Sequence, residues 1–197
     1  MNPDAIQACG DEIYEALCGR RTLAPLTERY PDITIEDAYQ ISLRLVNRRL
    51  DAGEQLVGKK IGVSSKAVQE MLNVHQPDFG FLTNGMVYDH GAEMPISQKL
   101  IQPRAEGELA FRLKKDLVGP DVTEEQVLDA TESVIPCFEI VDSRIENWKI
   151  KIQDTVADNA SCGLFVLGPR EVDPRSVDLV GSKMTVRKNG EIISEGF

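Results

Sequence analysis

Three carboxylates and one lysine carry the chemistry this sequence suggests first. The stretch PRAEGELAF, Pro103–Phe111, sets Glu106 and Glu108 two residues apart with only Gly107 between them. In a β-strand, residues i and i+2 point to the same side, so both carboxylates share one face of an otherwise apolar strand. Like charges this close raise each other's pKa unless a cation lies between them. Glu139, within IPCFEIVD, is a third acid in an apolar strand, where an unpaired carboxylate carries a heavy desolvation penalty. Three carboxylates with no suitable histidine make an all-oxygen site. Such a site favours a hard divalent ion, Mg²⁺ or Mn²⁺. Two other readings stand beside it. Glu106 and Glu108 also fit a solvated strand face matched with lysines, and Glu139 also fits a salt bridge to Arg104 or Arg144.

The second group lies upstream. In QLVGKKIGVSS the alternation puts Val57, Lys59, Ile61 and Val63 on one face, and Gly58, Lys60 and Gly62 on the other. Lys60 is flanked by two residues without side chains, which leaves room for a ligand beside its ammonium. It would offer counter-charge to an anionic substrate; a structural ion pair with the acidic cluster is the rival role. Lys59 reads as a surface lysine. Asp78, in HQPDFGFL, is expected in a loop between Pro77 and Phe79 that Gly80 lets turn sharply. It is either a proton-transfer group or an Asx-turn aspartate. His75 is a weaker acid–base candidate, because an exposed loop histidine needs no functional reason. Ser161, in ADNASCG, can hydrogen-bond a substrate carboxylate.

These residues need elements to hold them. Residues 4–19 read as an amphipathic helix with Ile6, Cys9, Ile13 and Leu17 at helical spacing. Thr34 followed by Asp37 resembles a capping box, opening a helix to about Leu50 whose inner face is Ala38, Ile41, Leu45 and Val46. Gly53 stands where a C-cap would. Strands are expected from Leu56, around 81–88, at 99–102, over 105–114, in VIPCFEIVDSR and in SCGLFVLG, with a short helix over 65–72. Thr123 with Gln126 makes a second capping box. Asn189-Gly190 marks a hairpin turn near the end. Two helices followed by a mostly β region give an α+β pattern, with residues 1–55 as a helical region and 56–197 as a β-rich catalytic domain.

Composition narrows the partners. The 197 residues are 42% hydrophobic and 27% charged, with a formal net charge of -10. That balance suits a soluble globular chain and opposes nucleic acid, which needs a basic face. Four cysteines without a CxxC pair, and two histidines, argue against a zinc site and for reduced thiols in the cytoplasm. The acidic N-terminus does not resemble a signal peptide, and no run is long enough to span a membrane.

Four stretches, GKKIGVSSKAVQEMLNVHQPDFGFL, LIQPRAEGELAF, VIPCFEIVDSRIENWKIKIQDTVADNAS and CGLFVLG, closely resemble the 2-hydroxypenta-2,4-dienoate hydratases of the fumarylacetoacetate hydrolase superfamily. These enzymes act in bacterial meta-cleavage degradation of aromatic compounds. The resemblance implies a mixed, barrel-like roll of sheets with an N-terminal helical part. It implies Mg²⁺ or Mn²⁺ held by Glu106, Glu108 and Glu139, with Lys60 and Asp78 in substrate binding and proton transfer and Ser161 near the substrate carboxylate. The implied reaction adds water to a small anionic 2-hydroxy-dienoate to give 4-hydroxy-2-oxopentanoate. The implied assembly is a homo-oligomer, able to associate with other enzymes of the pathway. The alternatives are the related 2-oxo-dienoate (4-oxalocrotonate) decarboxylase and a non-catalytic assembly partner. Family chains continue after EGF with a glycine- and alanine-rich segment, a helix and further strands, so this sequence is expected to lack the C-terminal part of the domain.

Overall fold

The computed structural model describes residues 1–64, 66, 69–70 and 73–196, and the helix expected over 65–72 lies largely outside them. The chain divides into two compact units. The first is Met1–Val87, Glu93–Arg104 and Ile140–Leu164; the second is Tyr88–Ala92, Ala105–Glu139 and Phe165–Phe197. The division does not follow a boundary at residue 55.

In the first unit, helix α1 (Pro3–Gly19) starts where the Asn2 side chain accepts a hydrogen bond from the Ala5 amide at 2.8 Å and Pro3 sets the first turn. Helix α3 (Ile35–Asp51) begins at the Thr34/Asp37 capping box, and a short α2 (Leu26–Arg29) lies between them in sequence. The inner face of α3 is buried at Ala38, Ile41, Leu45 and Val46. The two long helices pack closely at Gly10, where a Cβ would stand 2.5 Å from Arg44 Cβ and 2.9 Å from the Ile41 carbonyl oxygen. Cys9, Ile13, Ala16, Ile41 and Leu45 form one core with Ile152, Val156 and Ala157. The last three belong to a helix over Ile152–Ala157.

Strand β1 (Leu56–Gly62) pairs antiparallel with β2 (Asp78–Thr83), in a register that sets Lys60 opposite Gly80 and Gly62 opposite Asp78. Asp78 therefore opens a strand and is buried, not held in a loop as expected. Gly80 is needed for close approach rather than for a turn. A Cβ there would lie 2.4 Å from the Asn159 carbonyl oxygen and 2.6 Å from Cys162 Sγ. The alternation in β1 appears as expected: Lys59 is exposed, with its ammonium over the rings of Phe79 and Phe81.

The strand expected at 99–102 does not form. Residues Ile96–Lys99 make one helical turn. The Ile101 and Gln102 amides then donate to the Asp142 carboxylate at 2.6–3.0 Å. The Gln102 side chain donates to the carbonyls of Ser143 and Ile145 and accepts from the Asn147 amide. Side-chain partners have replaced a ladder, a competition that propensity alone does not reveal.

Strands β3 (Val87–Tyr88), β4 (Arg104–Leu113), β5 (Thr131–Val141) and β6 (Leu164–Leu167) form a sheet of order β3-β6-β5-β4. The helix Glu124–Ala130, capped by Thr123 and Gln126, leads directly into β5. In the second unit the hairpin β7 (Met184–Lys188) and β8 (Glu191–Gly196) turns through Asn189 and Gly190, both at positive φ. The architecture is α+β. No helix among the described residues is long and apolar enough to cross a membrane.

Within the first unit, residues 142–162 are tied together by Arg144, of which 1% is exposed. Its Nε pairs with the Asp158 carboxylate. Its Nη1 donates to the carbonyls of Asp142 and Cys162 at 2.6 and 2.8 Å, and its Nη2 to the Asp158 carbonyl at 2.6 Å. Removing one partner of a buried pair leaves the other charge uncompensated, at a cost of roughly 3–5 kcal/mol. Arg144→Leu should therefore lower the unfolding free energy by about that amount in urea titration. Arg144→Lys should recover little of it, because an ammonium cannot reproduce the fork.

Candidate active site

The Lys60 group is built from both strands of the first hairpin and the turn at 159–161. The Lys60 ammonium is half-buried and donates to the Ala160 carbonyl at 3.1 Å. It flanks Asp78 across Gly62. A Cβ on that glycine would stand 2.3 Å from Asp78 Oδ1 and 3.3 Å from Lys60 Nζ. Glycine here keeps the space between acid and ammonium open.

Asp78 is 3% exposed, and neither of its carboxylate oxygens has a well-formed hydrogen bond among the described residues. Burial pushes its carboxyl above the ordinary value, while Lys60 and the amides of Asp78 and Gly62 pull the other way. The Ser161 hydroxyl is likewise buried without a hydrogen-bond partner there. Native proteins rarely leave buried polar atoms so, and those that remain call for a ligand, a water or a catalytic role.

The turn that carries Ser161 is strained. Asn159, Ala160 and Ser161 have φ of 54°, 50° and 54°, three consecutive non-glycine residues in the left-handed region. Each such residue costs on the order of 1–2 kcal/mol. Asn159 secures the turn. Its Oδ1 accepts from the Phe81 amide at 2.8 Å and its Nδ2 donates to the Phe81 carbonyl at 2.9 Å, as a strand neighbour would. Sequence reasoning did not single out Asn159. The available signal was an asparagine, a residue tolerant of left-handed backbone, beside Ser161.

In the second unit, Glu106, Glu108 and Glu139 converge. One oxygen of each lies within 4.8 Å of the others. β4 and β5 are neighbours in the sheet, which brings Glu139 beside the pair. Glu139 is buried, Glu108 half-buried and Glu106 exposed. Gly107 points away from the cluster, and a Cβ on it would come 2.7 Å from Met184 Sδ and 3.0 Å from Val186 Cγ2. The hairpin β7–β8 thus explains why glycine separates the two glutamates. Burial pushes the Cys137 thiol up to about 11, and the charges of Glu108 and Glu139 add to that rise, so the local field is negative. An all-oxygen, converging, negatively charged set is the donor chemistry a hard divalent cation requires. Arg144, one of the two arginines weighed as a partner for Glu139, pairs with Asp158, and the Arg104 guanidinium stands 4.2 Å from the centroid of the Trp148 ring.

Known proteins are similar to this chain in sequence and fold. The fumarylacetoacetate (FAA) hydrolase C-terminal family matches residues 49–196. The chain is 67% identical over 196 residues to a 2-hydroxypent-2,4-dienoate hydratase of Pseudomonas putida, spanning 100% of this chain and 88% of that one. It is 62% identical over 193 residues to a 2-hydroxyhexa-2,4-dienoate hydratase of Comamonas testosteroni, spanning 98% and 73%. A solved 4-oxalocrotonate decarboxylase from Pseudomonas putida G7, complexed with magnesium and adipate, matches with a TM-score of 0.95 at 32% identity, over 100% of this chain and 74% of that one. The same enzyme complexed with calcium and acetate matches at 0.93 and 31%, with the same coverage. The chain belongs to the fumarylacetoacetate hydrolase family.

Proposed function

We propose that this chain is a metal-dependent hydratase that adds water to 2-hydroxypenta-2,4-dienoate, giving 4-hydroxy-2-oxopentanoate, in aromatic meta-cleavage degradation. The observation that carries the reading is the Lys60–Asp78 pair, a buried carboxyl with no well-formed hydrogen bond beside an ammonium, in a chain 62–67% identical to two dienoate hydratases. The decarboxylase resemblance supports the shared fold, at about half that identity.

Glu106, Glu108 and Glu139 would hold Mg²⁺ or Mn²⁺, which supplies Lewis-acid charge to a 2-oxo acid when bound. The protein's own groups handle protons and orientation. Ketonisation removes the proton of the 2-hydroxyl and adds one at C5, leaving a C3–C4 double bond conjugated with the new ketone. Water then adds its oxygen at C4 and C3 gains a proton, so the product is substrate plus one water. Asp78, whose burial favours the protonated form, is the donor at the C5 end. Lys60 places positive charge beside the anionic substrate, and the Ser161 hydroxyl donates to the substrate carboxylate. A small anionic acid is the one partner this chemistry needs. The chain is further proposed to work in the cytoplasm as a homo-oligomer, with association with other enzymes of the pathway as a further expectation.

Glu106→Gln should abolish Mg²⁺-dependent turnover and weaken Mg²⁺ binding by calorimetry. Activity that survives both the substitution and chelation would remove the metal assignment. Lys60→Ala should lose turnover by about 10²-fold or more, in the range typical of acid–base groups, with Mg²⁺ binding retained; wild-type kcat would refute its role. If Asp78 acts as the acid, kcat should fall as pH rises through its raised pKa, because the proton-bearing form is lost there. Asp78→Asn should remove that limb along with most of the rate. Loss of the dienol absorbance without carbon dioxide release separates hydration from decarboxylation.

A further inference from the structure

In β2, the amide and carbonyl of Phe81 bond a side chain rather than another strand. The amide donates to Asn159 Oδ1 at 2.8 Å, and the carbonyl accepts from Asn159 Nδ2 at 2.9 Å. A strand neighbour would exchange the same two bonds, so the 159–161 turn is seated on β2 in a fixed register. Asn159 itself is buried. The hairpin decides which face the turn covers. Lys60 stands opposite Gly80 and Gly62 opposite Asp78, and residues two apart share a side, so all four point one way. A Cβ on Gly80 would run into the turn, 2.4 Å from the Asn159 carbonyl oxygen and 3.1 Å from Ala160 Cβ. The turn therefore lies over the face that carries Lys60 and Asp78. Its Ala160 carbonyl receives the Lys60 ammonium at 3.1 Å.

We propose that Asn159 is a positioning residue for the reaction: by anchoring the turn to Phe81 it fixes the Ala160 carbonyl, and through that carbonyl the Lys60 ammonium, beside Asp78. The assignment rests on the hydratase reading and deepens it. A lysine ammonium rides on a long flexible stem, so it needs a fixed acceptor to stay in reach of a reacting group. The acceptor here belongs to a turn of three consecutive left-handed residues. Such backbone persists only where its surroundings over-determine it. Asn159 tolerates that conformation better than the alanine after it, and it supplies the two bonds that dock the turn. Its side-chain amide is committed to Phe81, so its effect on the chemistry passes through the turn.

Asn159→Gly keeps the left-handed backbone and removes both anchoring bonds. It should lower kcat for 2-hydroxypenta-2,4-dienoate by about tenfold or more, because small misplacements at a reacting centre carry losses of that order. Mg²⁺ binding by calorimetry should be unchanged. The deciding measurement is a double-mutant cycle with Lys60→Ala. Adding Asn159→Gly to Lys60→Ala should lower kcat by about twofold or less, because the group that Asn159 positions is already gone. A role in folding alone would leave kcat per folded molecule at the wild-type value. Losses that multiply in the double variant would mean an effect that bypasses Lys60. Either result overturns the assignment while leaving hydration intact. Asn159→Ser, which retains one hydroxyl for Phe81, carries the same cycle if the glycine variant does not fold. A wild-type chain that does not hydrate the dienoate would instead overturn the hydratase reading, and this assignment with it.

Discussion

Arg144 is a guanidinium buried at the foot of β5, and the residues that follow depend on it. A buried ion pair is stabilising only when the remaining donors and acceptors are satisfied, because desolvation otherwise exceeds the Coulombic gain. Here the guanidinium bonds the Asp158 carboxylate and three carbonyls, and Asp158 also accepts from the Arg144 amide and the Ser143 hydroxyl. The network spans residues 142–162 and fixes the turn at 159–161. That turn supplies the Asn159 clamp on β2 and the carbonyl that receives Lys60. The strain of three left-handed residues persists because their surroundings over-determine them.

The two groups of candidate site residues pose opposite electrostatic problems. Asp78 is a single buried acid, and burial raises its carboxyl against the pull of one ammonium and two backbone amides. Glu106, Glu108 and Glu139 are three acids drawn together by strand pairing, the donor chemistry that suits a hard cation. Glycines permit both arrangements for the same steric reason. Gly62 leaves room beside Asp78 and Lys60, Gly80 lets β2 approach the 159–162 turn, and Gly107 clears the hairpin behind the glutamate pair.

Much of the local structure was legible because its causes are local. Both capping boxes, at Thr34/Asp37 and Thr123/Gln126, and the Asn189-Gly190 turn formed where their residue types place them. The two long helices showed their buried faces in their spacing. The segment 99–102 was misread as a strand because its amides go to Asp142, a residue 40 positions away, rather than to a neighbouring strand. Asp78 was misplaced in a loop because the proline before it suggested one, while its strand partner lies at Gly62.

The sequence by itself determined the chemical inventory: a glutamate pair on one strand face, a third acid in another strand, and a lysine between glycines. Strand periodicity is enough for that, since side-chain direction follows from position along the chain. Only the tertiary structure decided that Glu139 joins the pair and that Asp78 is buried beside Lys60. Those outcomes depend on strand neighbours, on desolvation and on packing between segments far apart in sequence. None of these has a local signature.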